Sequence, residues 1–96
     1  MEHEKAISII EDYERRYLFE PANNWPKYWF KQRSYCRWTA EELIDYIRNN
    51  PSTPVIILVE KFINRMDLYS TKNHKNSWIF AIARDEAQNI YDILFL

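Results

Sequence analysis

Not one of the 96 residues is glycine. Glycine is the residue that takes positive φ without a steric penalty and lets backbone approach a ligand closely. Phosphate-cradling loops and dinucleotide-binding turns depend on both properties, so nucleotide sites of the P-loop or Rossmann kind are excluded. Tight β-hairpins lean on Asn-Gly or Gly-X pairs, so a hairpin-rich β fold is also disfavoured. What remains is a helical chain whose ends are closed by other residues. With 47% hydrophobic and 17% aromatic residues it can bury a core without disulfides or metal. Its length suits one domain spanning 1–96.

The apolar spacing agrees with this. From Glu2 to about Phe19, Ala6, Ile9, Ile10, Tyr13 and Tyr17 form a helical stripe, with Glu11, Asp12, Glu14, Arg15 and Arg16 mostly on the far side. Pro21, Asn23, Asn24 and Pro26 interrupt it. Residues 25–37 follow no clean period, and a short helix capped by Asn24 with Pro26 in its first turn is expected there. The next helix is expected from Thr39 to about Asn49. Thr39 and Glu42 have the spacing of a capping box, and Trp38 and Leu43 that of a hydrophobic staple, which makes Trp38 an entry clamp onto the core. Ala40, Leu43, Ile44 and Ile47 would be buried. Asn49 and Asn50 would supply the left-handed C-terminal conformation, with Pro51 preventing continuation.

A third helix is expected with Thr53 as cap and Pro54 in its first turn, carrying Val55, Leu58, Val59, Phe62, Met66 and Tyr69 on one face. After a polar break at Lys72 to Asn76, Ser77 or Asn76 caps a last helix with the stripe Ile79, Ile82, Ala83, Ala87, Ile90, Ile93 and Leu94. The fold class expected is all-α: a small bundle of four helices, with a fifth short one over 25–37.

Charge alternates in blocks. Residues 1–20, 21–40, 41–60, 61–80 and 81–96 carry −3, +4, −3, +3 and −2, giving the net charge of −1. Such alternation favours segments packing on one another, or a partner that meets one face, over a coat of nucleic acid held by overall charge. Cys36 is the only cysteine, so no intramolecular disulfide can form and a reducing compartment is expected. The start Met1 to Lys5 has no signal-peptide character, and no apolar run reaches the roughly 20 residues of a membrane span, so a cytoplasmic location is expected.

Enzyme chemistry finds no foothold. His3, His74 and Cys36 stand apart at no metal-ligand spacing, and Glu41, Glu42, Asp45, Asp85 and Glu86 fall on helix starts or solvated faces. No spacing pairs His74 with a nucleophile, so it reads as a solvated loop residue. No catalytic residue, cofactor, metal or small-molecule ligand is inferred. The positive signal is the segment from Trp25 to Trp38, with three of the four tryptophans and no acid. Its cations Lys27, Lys31, Arg33 and Arg37 suit phosphates, while Trp25, Tyr28, Trp29 and Tyr35 suit stacking on bases. The structural alternative is that the rings, each burying about 150 to 250 Å², are core and that the cations pair with acidic helices. Arg37 to Leu43 also looks like the opening of a Myb-type repeat. The positions 18 and 19 residues beyond Trp38 are Ile56 and Ile57, however, where such repeats need another tryptophan.

A longer likeness runs through Tyr28-Trp29-Phe30-Lys31-Gln32-Arg33-Ser34-Tyr35-Cys36-Arg37-Trp38, Glu42-Leu43-Ile44, Phe62-Ile63 with Met66-Asp67, Phe80-Ala81-Ile82-Ala83 and Asp92-Ile93-Leu94. These strings resemble a set of short Firmicute bacterial proteins without an established activity. The resemblance implies a self-contained bacterial domain and transfers no catalytic residue. The function expected is therefore a non-enzymatic module for protein interaction or regulation. It would work as a homodimer through the apolar end Ile93 to Leu96, or with another protein. The alternative is a nucleic-acid accessory protein, and in either case the contact residues are Trp25, Lys27, Trp29, Lys31, Arg33 and Arg37.

Overall fold

The computed structural model describes residues 1–18, 27–72 and 75–96, without the side chains of 27–31. Its described residues form four helices and no strand: α1 His3–Tyr17, α2 Lys27–Arg48, α3 Val55–Thr71 and α4 Ser77–Phe95. Each is antiparallel to the next. His3 Nε2, in the first turn of α1, meets the carbonyls of Asn50 and Thr53 at 3.2 and 2.7 Å and so sets the start of α1 beside the α2–α3 turn. The broadest packing is α3 on α4, then α2 on α4 and α1 on α2. One continuous core holds Ile10, Leu43, Ile47, Leu58, Val59 and Ile90, and a radius of gyration of 13.5 Å fits one packed unit of this length.

The all-α expectation holds, with one change of architecture. The short helix and the helix expected from Thr39 are a single α2 of 22 residues. Between Lys27 and Arg48 there is neither proline nor glycine, so nothing in the backbone requires a break. Thr39 is 0% exposed, and its hydroxyl donates to the Tyr35 carbonyl one turn back at 2.7 Å. That bond satisfies a buried hydroxyl within a continuous helix, so the capping box does not form. The staple fails with it, because Trp38 sits inside α2 rather than at a helix entry: Leu43 is core, whereas Trp38 is 38% exposed.

The other helix ends are equally free of left-handed residues; no described residue has positive φ. At the end of α2 the Asn50 side-chain amide donates to the Tyr46 carbonyl at 2.8 Å, doing by hydrogen bond what was expected of a left-handed asparagine. Pro54, rather than Thr53, occupies the cap position of α3, and its carbonyl accepts from Ile57 and Leu58. Asn76 holds that position for α4 without a side-chain cap bond.

The buried faces of α3 and α4 follow their stripes at Val55, Leu58, Val59, Phe62 and Met66, and at Ala83, Ala87, Ile90 and Leu94; Ile93 lies outside, 41% exposed. In α1 the face is turned. Ile7 and Glu14 are buried with Ala6 and Ile10, whereas Tyr17 is exposed. The expected break at His74 lies outside the described residues. Among the described residues, no helix is long and apolar enough to cross a membrane.

Candidate functional site

Helix α2 passes through the molecule with a different surface on each side. Residues three and four apart share a helix face, so Tyr35 and Trp38 lie on one side, and Gln32, Arg33, Cys36 and Arg37 turn toward the other. The basic and aromatic segment, continuous in sequence, is split by the helix.

On the first side, Tyr35 and Trp38 of α2 meet the start of α4. Ser34, Tyr35, Trp38, Asn76, Ile79 and Phe80 line a depression of about 330 Å³. A second, of about 290 Å³, shares Asn76 and Phe80 and adds Tyr69 and Lys72. Among the described residues, no acid lines either. Trp78 packs edge-on against Tyr35, centroids 5.4 Å apart and planes at 88°, while staying 45% exposed. Tyr69 packs on Phe80 at 5.1 Å and carries the Lys72 ammonium over its ring, also at 5.1 Å. Together these form a groove with aromatic walls and exposed tryptophans at its edge. The antiparallel packing brings α2's basic first half and the α3–α4 junction, with Lys72 and Lys75, to the same end of the bundle.

On the second side, three helices close around a polar cluster. The Tyr13 hydroxyl of α1 donates to Glu86 Oε1 of α4 at 2.5 Å and accepts from the Asn89 amide at 2.8 Å. The Cys36 thiol of α2 lies beside the same carboxylate. Burial and the neighbouring Glu86 carboxylate push the Cys36 pKa up to about 12 and raise that of Tyr13 as well, so both groups keep their protons. Glu86 is 9% exposed. A cavity of about 470 Å³ opens beside the cluster, walled also by Tyr17, Leu18, Gln32 and Arg33. Nearby, Glu14 is buried between α1 and α2 with Oε2 lacking a hydrogen-bond partner. Burial, with help from Glu41, raises its pKa against the opposing pull of Arg37.

Of the six contact residues expected from sequence, the side chains of Arg33 and Arg37 are described, both on the side of α2 that carries Cys36. Trp25 lies outside the described residues, and Lys27, Trp29 and Lys31 begin α2 with side chains that are not described. Arg33 borders the cavity. Arg37 stands 3.9 Å from Glu41 and near Glu14. Trp78, Phe80 and Tyr13 were not singled out as site residues, and Glu86, expected on a helix start or solvated face, is instead buried in the middle of α4. Trp78 had a signal in being a tryptophan in the first turn of a helix, just after a basic break. Glu86 had none, because an acid in the middle of an amphipathic helix ordinarily faces water.

Among the described residues, no group of three or more His, Cys, Asp or Glu side chains is placed to hold a metal ion. No protein-family model, curated protein or solved structure matches the chain.

Proposed function

We propose that this protein is a non-enzymatic interaction module that captures an acidic, apolar-faced helix of another protein in the groove between Trp38 and Trp78. The observation that carries this reading is that two tryptophans forty residues apart in sequence flank one concave aromatic surface while each remains more than a third exposed. Tryptophan at the edge of an apolar groove is typical of energetic anchors in protein interfaces, and a helix binds such a groove through side chains on one face. The charge selects the partner. With Lys72 in the lining and no acid among its described residues, a second copy docked groove to groove would bring like charges together, whereas an acidic helix would neutralise them. At the apolar C-terminus Leu94 is core and Phe95 packs on Tyr91, which leaves Ile93 and Leu96 as the exposed surface a homodimer would have there.

The test uses a synthetic amphipathic helix with leucine and phenylalanine on one face and glutamate on the flanks, beside a lysine-flanked counterpart. Tryptophan fluorescence should saturate with the acidic peptide only, and Trp38→Ala or Trp78→Ala should weaken binding at least about tenfold. Equal binding of both peptides, or none, removes the proposal. A concentration-dependent dimer in sedimentation, with no peptide binding, would return the homodimer to first place.

The convergence of the two basic segments at one end supports a second reading, single-stranded nucleic acid held there. It requires oligonucleotide binding that weakens steeply with salt. The mutual packing of Tyr35 and Trp78 at near right angles makes a poorer platform for successive bases than rings lying open.

A further inference from the structure

The cavity on the other side of α2 has a charge left over. Glu86 is nine-tenths buried, yet the donor it meets among the described residues, the Tyr13 hydroxyl, is neutral, and so is the Cys36 thiol beside it. None of the ion pairs among the described residues involves it. A carboxylate held away from water is ordinarily paired with a cation, because neutral donors solvate it without cancelling its charge. Here the carboxylate lines a cavity of about 470 Å³, inside the size range of small-molecule sites. The rings of Tyr13 and Tyr17 also line it, 5.6 Å apart and inclined at 40°, and aromatic faces attract organic cations.

We infer that this cavity is a binding site for a small molecule carrying an ammonium group, with Glu86 as its counter-ion and the two tyrosine rings as its walls. Leu18 supplies apolar surface for the body of the ligand. Arg33 and Gln32, one turn before Cys36, give the α2 wall hydrogen-bond donors of their own. The cavity is thus bipolar, with a carboxylate contributed by α4 and a guanidinium by α2. A free amine would use only the first; an amino acid would use both, its carboxylate meeting Arg33. The ammonium is the chemistry the two share, and the second pole distinguishes them. This site is independent of the Trp38 and Trp78 groove, which lies on the opposite face of α2 and shares no lining residue with it.

The experiment is a titration of the full chain followed by amide NMR, using phenethylamine, phenylalanine, phenylpropionate and phenylethanol as probes. Saturable shifts at Tyr13, Gln32, Cys36 and Glu86 are expected with the two amines and not with the acid or the alcohol. Glu86→Gln should weaken amine binding about tenfold or more, the scale of a hydrogen-bonded charge pair. If phenylalanine binds more tightly than phenethylamine and Arg33→Gln abolishes the difference, the ligand is of the amino-acid kind; equal affinities make it a simple amine. Should Glu86→Gln fail to fold, thermal unfolding of the wild-type chain provides a second readout, shifted upward by saturating amine and unaffected by the alcohol. No saturable shift by about 10 mM amine, or the same shifts with phenylethanol, overturns the inference, since an ion-paired ligand of this size should bind within that range.

Discussion

The two sides of α2 solve opposite problems with the same helix. Toward α1 it buries polar groups: Cys36 lies beside the hydrogen-bonded Tyr13 and Glu86, and Glu14 sits close by with one oxygen unsatisfied. Toward the start of α4 it leaves apolar groups exposed, with Trp38 and Trp78 beside a groove lined by Tyr35, Ile79 and Phe80. Burying charge and exposing large rings both work against stability. Neither is needed to close the core, which Leu43, Ile47, Val59 and Ile90 already fill. Departures of this kind from the folding pattern are where binding function is expected, and they fall on two separate faces.

The largest effect expected sets the scale for both. Leu43 is 0% exposed on the α2 edge that serves the common core, so Leu43→Ala should cost about 2 to 5 kcal/mol in urea unfolding. A smaller loss would mean that α2 is held mainly by its two flanks. Next comes the polar side. Tyr13→Phe removes Glu86's hydroxyl donor and the acceptor used by Asn89, and should cost about 1 to 3 kcal/mol with little change in helicity. A neutral result would show that water replaces the hydroxyl there.

The pH dependence sharpens the same side. The folded-state pKa values of Cys36 and Tyr13 stand above their ordinary values of 9.0 and 10.0, so their contribution to stability is complete below pH 9 and falls as pH rises, for Cys36 through about 12. The urea midpoint should fall progressively from pH 9 upward, and Cys36→Ala should flatten the first part of that fall. Glu14 acts in the same sense at lower pH, because its raised folded pKa means that ionisation disfavours the folded state above the ordinary carboxylate value of 4.5. Glu14→Gln should therefore leave stability unchanged near pH 4 and raise the urea midpoint at pH 7. A lower midpoint at pH 7 would show that attraction to Arg37 outweighs burial.

The aromatic side should respond least in stability and most in binding. Trp78→Ala is expected to cost less than about 1.5 kcal/mol, since nearly half the ring already faces solvent, while abolishing peptide capture. A loss at the level of Leu43→Ala would make the ring part of the core and dissolve the contrast between the two sides. Smallest of all is Arg84→Ala on the surface, which breaks the pairs to Asp67 and Asp85, each at 3.1 Å, and should change stability by no more than about 1 kcal/mol. Thermal unfolding in low and high salt would resolve it.

The helical class and the inner faces of α3 and α4 were legible because periodicity is a local property. Val55, Leu58, Val59, Phe62 and Met66 repeat at the pitch of a helix whatever they pack against. The joint at Thr39 was misread for a related reason. A threonine followed three residues later by glutamate is equally compatible with a cap and with a helix interior, and only burial of the hydroxyl against the Tyr35 carbonyl decides between them. The candidate sites were less legible still. Arg33 and Arg37 were visible as cations, and Tyr35 and Trp38 as rings, yet their separation onto opposite faces follows from one uninterrupted α2, which the expected break had obscured.

An all-α chain therefore follows from the residues themselves: the absence of glycine and the spacing of the apolar side chains act within a few residues of chain. Which polar groups lie inside and which tryptophans lie outside belongs to the tertiary structure. Tyr13, Cys36 and Glu86 come from three different helices, and Trp38 and Trp78 from two. Their environments exist only once those helices have packed, because burial is set by neighbours distant in sequence and hydrogen bonding by the geometry those neighbours impose.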